Sequence, residues 1–330
     1  MEKSISVIIP NYNKASTIGK CLEAAFSSRY GKYEVIVVDD CSTDNSVEII
    51  KSFPCTLLQL ETHGGASKAR NTGALNSKGE ILFFIDSDCL LQEDTLSIVT
   101  SACTATEGKK AILSGTYTPI PYDYDFFSAF QSVFINYFET KKNEPDYIPG
   151  HSVIIKSEYF KNSGGFPEDF LAMIEDVEFS HRMRRAGYKL LLSPQVLVQH
   201  IFNFNLVKSL KNAFRKSFYW TIYSIKNKDL FKDSGTASVE LKINAASNLA
   251  FFFSLSLYAS FKNPLYLLLI PVVLTLNIFI NRGLLSAFFR AKGFLFGLGA
   301  TVYYTMVYPV PVLIGALTGM IKYPGPSSKI

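Results

Sequence analysis

Two acidic clusters follow apolar runs in this chain of 330 residues. Asp39 and Asp40 come after Glu34 to Val38 (EVIVV), and Asp86 with Asp88 after Ile81 to Ile85 (ILFFI). Carboxylates two apart at the end of an extended segment fall on one side, with Ser87 turned away. Held that close they repel unless a cation lies between them, and a hydrated divalent ion carrying a diphosphate is suited to that place. The competing use is capping of the helix expected from Glu93 to Thr106. On the first reading Asp88 holds the metal, Asp86 the ribose or the metal's waters, and Asp40 accepts hydrogen bonds from a nucleotide base or ribose. A third pair, Glu175 and Asp176, opens a helical segment. There carboxylates suit the helix dipole, and one of them could instead take a proton from an attacking hydroxyl. His200 is either a metal ligand or a strand-end surface histidine. Lys68 and Arg70, on a glycine-led helix, can neutralise phosphate or stay solvated.

These residues need one sheet edge to meet. The chain supplies strands at Ser4 to Ile9, Glu34 to Val38, Thr56 to Leu60, Ile81 to Ile85 and Ala111 to Gly115, with helices between them, one of them Thr43 to Ser52 with Ser42 as N-cap. Strand and helix alternating through short joints predict βαβ crossovers and a mostly parallel sheet, whose carboxyl-terminal edge is where ligands bind. A strand with Gly150 at its start, a Gly164–Gly165 turn, a helix ending at Gly187 and a strand ending at His200 complete this part. An aromatic helix is expected from about Phe126 to Phe138, beside the site.

Composition changes along the chain. Charge is interspersed up to about Gln199 and nearly vanishes from Asn244 onward. The formal net charge of +5 is modest, and much of it lies between Lys208 and Lys228, which fits a membrane surface better than nucleic acid. The five cysteines show no paired metal spacing and are expected as reduced thiols, Cys89 as a small filler. The opening apolar run is too short for a signal peptide, so the first domain is expected in the cytosol. Asn205 to Lys228 reads as a basic amphipathic helix at headgroup level, with Leu206, Leu210, Phe214, Phe218, Ile222 and Ile225 on one stripe. Three apolar stretches follow, Ala245 to Phe261, Pro264 to Ile280 and Gly293 to about Ile321. If they span, Arg282, Arg290 and Lys292 fall on the cytosolic side and the tail from Lys322 ends outside; the alternative is a hairpin within one leaflet.

Taken together, SVIIPNYN, VIVVDDCSTD, ARNTG, ILFFIDSD, GGF and EDVEFSHRMRRAGYKL stand in the order and spacing of the family 2 glycosyltransferases, which Ile5 to His200 resembles. The resemblance implies a GT-A fold, an α/β, Rossmann-like domain on a mostly parallel mixed sheet, and transfer of a sugar from a nucleotide donor with inversion. It implies that a turn from Pro10 to Tyr12, together with Asp40, forms a uracil-binding edge, that Asp86 and Asp88 hold Mg²⁺ or Mn²⁺ and the diphosphate, that His200 completes the metal site, and that Asp176 is the catalytic base. Lys68, Arg70, Gly150 and Glu175 are grouped with the donor-binding residues. The Q-x-x-R-W motif of processive synthases is absent. Asn212 and Arg215 hold its first and fourth positions, which makes Arg215 a candidate for the diphosphate or for lipid headgroups. The glycine-rich segment does not look like that of dolichyl-phosphate-mannose synthases.

The expectation is therefore a catalytic domain over 1–204, an interfacial helix and linker over 205–243 and transmembrane helices over 244–330. It would be a multi-pass inner-membrane enzyme with its catalytic domain in the cytosol, moving a sugar from a UDP-sugar to a lipid-linked acceptor. Alternatives are a polyprenyl-phosphate glycosyltransferase, a nucleotidyltransferase using the same acidic metal site, and a membrane scaffold with a degenerate nucleotide-sugar domain.

Overall fold

The computed structural model describes residues 3–169, 171 and 173–323. The chain divides into two compact units, one running through Asp123 and resuming over Glu139–Phe202, the other made of Tyr124–Phe138 and the residues from Asn203 on.

The first unit follows the order β1 (Ile5–Asn11), α1 (Ile18–Phe26), β2 (Tyr33–Asp39), α2 (Ser46–Lys51), β3 (Thr56–Gln59), α3 (Gly65–Leu75), β4 (Ile81–Ile85), β5 (Cys89–Leu91), α4 (Thr95–Ala105) and β6 (Ala111–Tyr117). Helix α5 (Phe126–Glu139) intervenes, and β7 (Ser152–Lys156), α6 (Ser157–Ser163), α7 (Glu175–Arg185) and β8 (Lys189–His200) complete the unit. The strands form one mixed sheet ordered β3-β2-β1-β4-β7-β6-β8-β5. β7 runs antiparallel to β4 and β6, and β5 antiparallel to β8; the other pairings are parallel. The expected mostly parallel sheet is therefore present. Its carboxyl-terminal edge gathers Asn11, Asp39, Tyr117 and His200, while the antiparallel strands bring their starts, Cys89 and Ser152, to the same edge.

The apolar run Ile81–Ile85 is buried at every position, as a central strand covered on both faces must be. Phe84 packs with Phe160, Phe166 and Phe179 beneath α6 and α7, each ring contributing about 2–3 kcal/mol of burial. β1 extends to Asn11, so Pro10 lies within a strand rather than in a turn. It is tolerated because pairing with β4 runs only from Ile5 to Ile8, and beyond that point no ladder needs the missing N–H. That early separation of β1 and β4 opens the edge at the acidic residues.

Two local expectations are corrected. Helix α2 begins at Ser46, not Thr43, with Asn45 at its N-cap, because Ser42 turns its hydroxyl to the Asp39 carboxylate at 2.6 Å. The strand at Ile81 ends at Ile85 as expected, but Asp86 to Asp88 then form a turn in which the Asp86 carbonyl accepts the Cys89 N–H at 3.0 Å. The two carboxylates are thus splayed by a turn instead of aligned on an extended chain.

The second unit contains α5, α8 (Leu206–Asn227), α9 (Val239–Phe261), a 3₁₀ turn (Pro264–Leu268), α10 (Leu269–Val302), a π-helical turn (Tyr303–Val307) and α11 (Pro309–Lys322). The aromatic helix foreseen at Phe126 is α5, and all of it but Glu139 belongs to this unit. Phe130 stacks on Phe288 and meets Tyr303 edge-on. Helix α10 does not stop at Ile280; it carries Arg282 and Arg290 and breaks at Lys292 and Gly293, where φ at the glycine is +78°. α8 presents Ser209, Ala213 and Thr221 to the interior, and Gly315 and Gly319 of α11 lie so close to its backbone that a Cβ would stand 2.4 Å from the Phe214 carbonyl oxygen at the first and 2.8 Å from that of Phe218 at the second. The expected apolar stripe of α8 is left partly open, with Leu206 43% exposed. Among the described residues one helical stretch, Pro264–Lys322, is long and apolar enough to cross a membrane. Most of the tail beyond Lys322 lies outside the described residues.

Candidate active site

Arg70 organises the site in the first unit. It stands on α3 and is 4% exposed, and its guanidinium forks, donating to Glu175 Oε1 and to Asp86 Oδ1, each at 2.8 Å. Asp86 and Glu175 are far apart in sequence, yet one side chain joins them. Burial opposes the arginine's charge, but Asp86 and Glu175 outweigh it and hold the group firmly protonated. This corrects the expectation that Arg70 meets phosphate: its two terminal nitrogens are committed to carboxylates. Lys68 on the same helix is half-buried and makes no ion pair among the described residues.

Asp88 faces the other way. Its Oδ2 accepts from Lys14 Nζ at 2.6 Å and its Oδ1 stands 3.1 Å from His200 Nε2. Burial would raise this carboxyl's pKa, but His200 and Lys14 together pull it well below the ordinary range. For Lys14, the cost of burial is exceeded by Asp88 and Asp86, and its pKa rises. The imidazole of His200 stacks on Phe202 with centroids 4.0 Å apart and meets the Tyr117 ring edge-on at 4.8 Å. Tyr117 is itself backed by His151 at 3.8 Å. These rings fix the imidazole's plane, since its buried Nδ1 has no hydrogen-bond partner.

Donor atoms of Asp88, Cys89 and His200 lie within 4.8 Å of one another. The Cys89 thiol is pushed far up by burial, and further by Asp88 and Asp86, so without an ion it stays protonated, and a hard divalent ion prefers the oxygen and nitrogen beside it. What remains, a carboxylate and an imidazole, fits a hard or borderline divalent ion whose other positions go to phosphate oxygens and water. Of the three expected ligands the structure brings together Asp88 and His200; Asp86 is turned to Arg70.

Asp176 sits in the first turn of α7, half-buried. Its Oδ2 accepts the Gly150 N–H and its Oδ1 the Val177 N–H, both at 2.8 Å. Gly150 serves here by close approach, since a Cβ would stand 3.0 Å from Arg70 Nη2. Desolvation, then the neighbouring Glu175 carboxylate, outweigh these hydrogen bonds and Arg70, and push Asp176 up to about 7. A carboxyl poised there can accept a proton near neutral pH.

Asp39 is structural, its carboxylate accepting Asn11 Nδ2 at 2.7 Å and the Ser42 N–H at 3.0 Å. Asp40 is 2% exposed beneath Gly64, Gly65 and His63, with Tyr12 stacked beside His63. Arg215 is exposed on α8, in the second unit. Sequence reasoning missed Lys14, His63, Tyr117 and His151. Lys14 had a readable signal, as the first cation after β1 on an edge that collects acids; the stacked rings had none.

Residues 6–159 match the glycosyl transferase family 2 domain. Glycosyltransferase AglE of Haloferax volcanii is 31% identical over 205 residues, covering 59% of this chain and 66% of the relative. An uncharacterized glycosyltransferase of Haemophilus influenzae is 42% identical over 91 residues, covering 27% of this chain and 31% of its own length. The alignments thus span about two thirds of the first relative and about a third of the second. Among solved structures, the mannosyltransferase PcManGT from Pyrobaculum calidifontis, in complex with GDP-Man and Mn²⁺, aligns with a TM-score of 0.59 at 20% identity, covering 98% of this chain and 87% of that one. At this identity the likeness establishes the fold, which is GT-A-like.

Proposed function

The chain belongs to glycosyl transferase family 2, and on that premise we propose that it moves a sugar, with inversion, from a UDP-sugar to a hydroxyl of a lipid-linked acceptor at a membrane surface. The observation that carries this reading is the Arg70 fork, which ties Asp86 to the Glu175–Asp176 pair and so brings a diphosphate site and a base to one edge. The donor's base would lie over Tyr12 and its diphosphate beside Asp88, whose partner Lys14 is a cation the diphosphate can draw on. Asp88 and His200 would hold Mg²⁺ or Mn²⁺. When bound, the ion offsets negative charge on the departing nucleoside diphosphate.

The chain's own residues do the rest. Gly150 and Val177 aim the Asp176 carboxylate through their N–H groups, and Asp176 takes the acceptor hydroxyl's proton as that oxygen attacks the anomeric carbon. Arg70 pairs with Glu175 and Asp86, and its pull on Asp176 is outweighed by desolvation and by the Glu175 carboxylate, so the base remains basic. Lys14, freed from Asp88 by a competing diphosphate, follows the leaving group's charge.

Membrane attachment is supported by the exposed apolar side chains on α9, α10 and α11, among them Phe253, Phe279 and Leu317 at 62%, 61% and 55% exposure. The open stripe of α8 with its lysines and arginine suits the headgroup layer. We place the first unit on the cytosolic side and assign membrane segments to α9 and Pro264–Lys322. Arg215 on α8 then meets lipid phosphate.

Purified protein given a panel of UDP-sugars, Mn²⁺ and a membrane lipid extract is expected to release UDP and yield a glycosylated lipid identifiable by mass. Release of a sugar 1-phosphate instead, the leaving group when the nucleotidyl part of a UDP-sugar is transferred, would identify a nucleotidyltransferase and sink the proposal. The pH dependence carries a second test. Asp176 must be ionised to act, so kcat is expected to fall tenfold per pH unit below about 7; a rate that stays flat down to pH 5 contradicts the assigned base. The same shift has a stability consequence. The folded state retains a proton that the unfolded chain releases near 3.8, so this group's contribution is present at low pH and is lost as pH rises toward 7.

A further inference from the structure

Tyr12 and His63 stand side by side at the edge above β1 and β2, their rings 4.4 Å apart and tilted by 36°. Both are open to solvent, Tyr12 at 45% and the His63 side chain at 56%. Beneath them the Asp40 carboxylate is already engaged. Its Oδ1 accepts the Gly64 N–H and its Oδ2 the Gly65 N–H, each at 2.7 Å. His63 Nδ1 lies 3.0 Å from Asp40 Oδ2 and 3.2 Å from the Asp40 carbonyl oxygen. Gly65 allows this turn because its φ is +80°, which other residues rarely adopt.

This arrangement decides a tautomer. Both groups facing Nδ1 are acceptors, so Nδ1 carries the proton. In the neutral ring Nε2, on the edge turned away from Asp40, is then a hydrogen-bond acceptor. Asp40, 2% exposed, has no open side to offer a ligand.

We propose that His63, oriented by Asp40 and paired with Tyr12, reads the base of the nucleotide donor, accepting a hydrogen bond from a ring N–H. The inference rests on the sugar-nucleotide reading above and assigns the base contact to His63 rather than to Asp40. Uracil presents N3–H and satisfies Nε2. Cytosine presents a lone pair at the same position, so two acceptors would face each other and both would lose their water. Asp40 acts as a positioning residue, and Tyr12 supplies a ring face to either pyrimidine.

UDP and CDP differ only at that pyrimidine edge, which makes the pair a clean probe. Titration calorimetry of each into the full-length protein in detergent with Mg²⁺ is expected to give UDP at least about tenfold tighter binding. His63→Phe retains a ring against Tyr12 and loses Nε2. It should weaken UDP by about tenfold, leave CDP unchanged and bring the ratio near one. His63 is exposed, so the variant's melting curve should match the parent's. An undiminished UDP preference in His63→Phe, or equal binding of the two nucleotides by the parent protein, overturns the assignment while leaving the glycosyltransferase reading intact. If neither nucleotide binds at all, both readings fail.

Discussion

Asp176→Asn is expected to lower kcat by roughly 10²–10⁴-fold, the range for loss of a positioned general base, while UDP affinity stays within about twofold of the parent value. The separation follows from where the residue sits. Asp176 is held by the Gly150 and Val177 N–H groups, and its side chain makes no ion pair among the described residues. An asparagine fills the same space and keeps one oxygen for those donors, but it cannot take a proton. Glu175, next in the chain, keeps its partner Arg70, so the edge around the diphosphate is undisturbed. Initial rates at saturating donor, together with UDP calorimetry, check both halves. Turnover like that of the parent protein would show that another group is the base.

Arg70→Met should have the largest effect on stability, a loss of about 3 kcal/mol, with activity falling as well. A buried charge that joins two carboxylates is costly to remove, because Asp86 and Glu175 are left facing each other without compensation. The figure is set at the low end of that range because Asp86 is 34% exposed and water screens its half of the contact. Arg70→Lys should recover part of the stability and little of the geometry, since an ammonium cannot reach two carboxylates as a planar fork does. Chemical denaturation of the three proteins measures this. Equal midpoints for Arg70→Met and the parent would mean that the fork contributes nothing.

The parallel half of the sheet was readable in the sequence because its strands are short apolar runs, two of which, β2 and β4, lead into acids, and burial on both faces calls for apolar residues throughout Ile81–Ile85. The partner of each acid was not readable. Arg70 and Lys68 occupy one helix two positions apart and look equally suited to phosphate; only packing against Phe166 and enclosure beneath Gly150 bury the first and leave the second at the surface. Asp86 and Asp88 share a motif, but a turn of the backbone sends them to different cations. The late helices were misjudged where charge interrupts an apolar run. Arg282 stacks over Phe279 within α10 instead of beginning a loop. The π-helical turn was invisible because what stabilises it is remote: Asn244 and Asn248 donate to the carbonyls of Tyr304 and Thr305 at 2.7 and 2.6 Å, supplying the partners that this turn leaves unpaired.

The Lys14 contact gives the site a charge logic of its own. Asp88 lies between His200 and Lys14, and a divalent ion must share that carboxylate with an ammonium 2.6 Å away. A diphosphate that draws the ammonium toward itself would free the carboxylate for the metal, so donor and ion should favour each other's binding.

A crystal structure of the protein with UDP and Mn²⁺ tests the central claim most directly, namely that carboxylates from the turn after β4 and from α7 face one bound donor. The account predicts the ion on Asp88 and His200, the diphosphate beside it, and Asp176 near enough for a single hydroxyl group to bridge between its carboxylate and the position of the anomeric carbon. A nucleotide bound elsewhere, or bound at Asp88 with Asp176 facing away from it, would contradict the account.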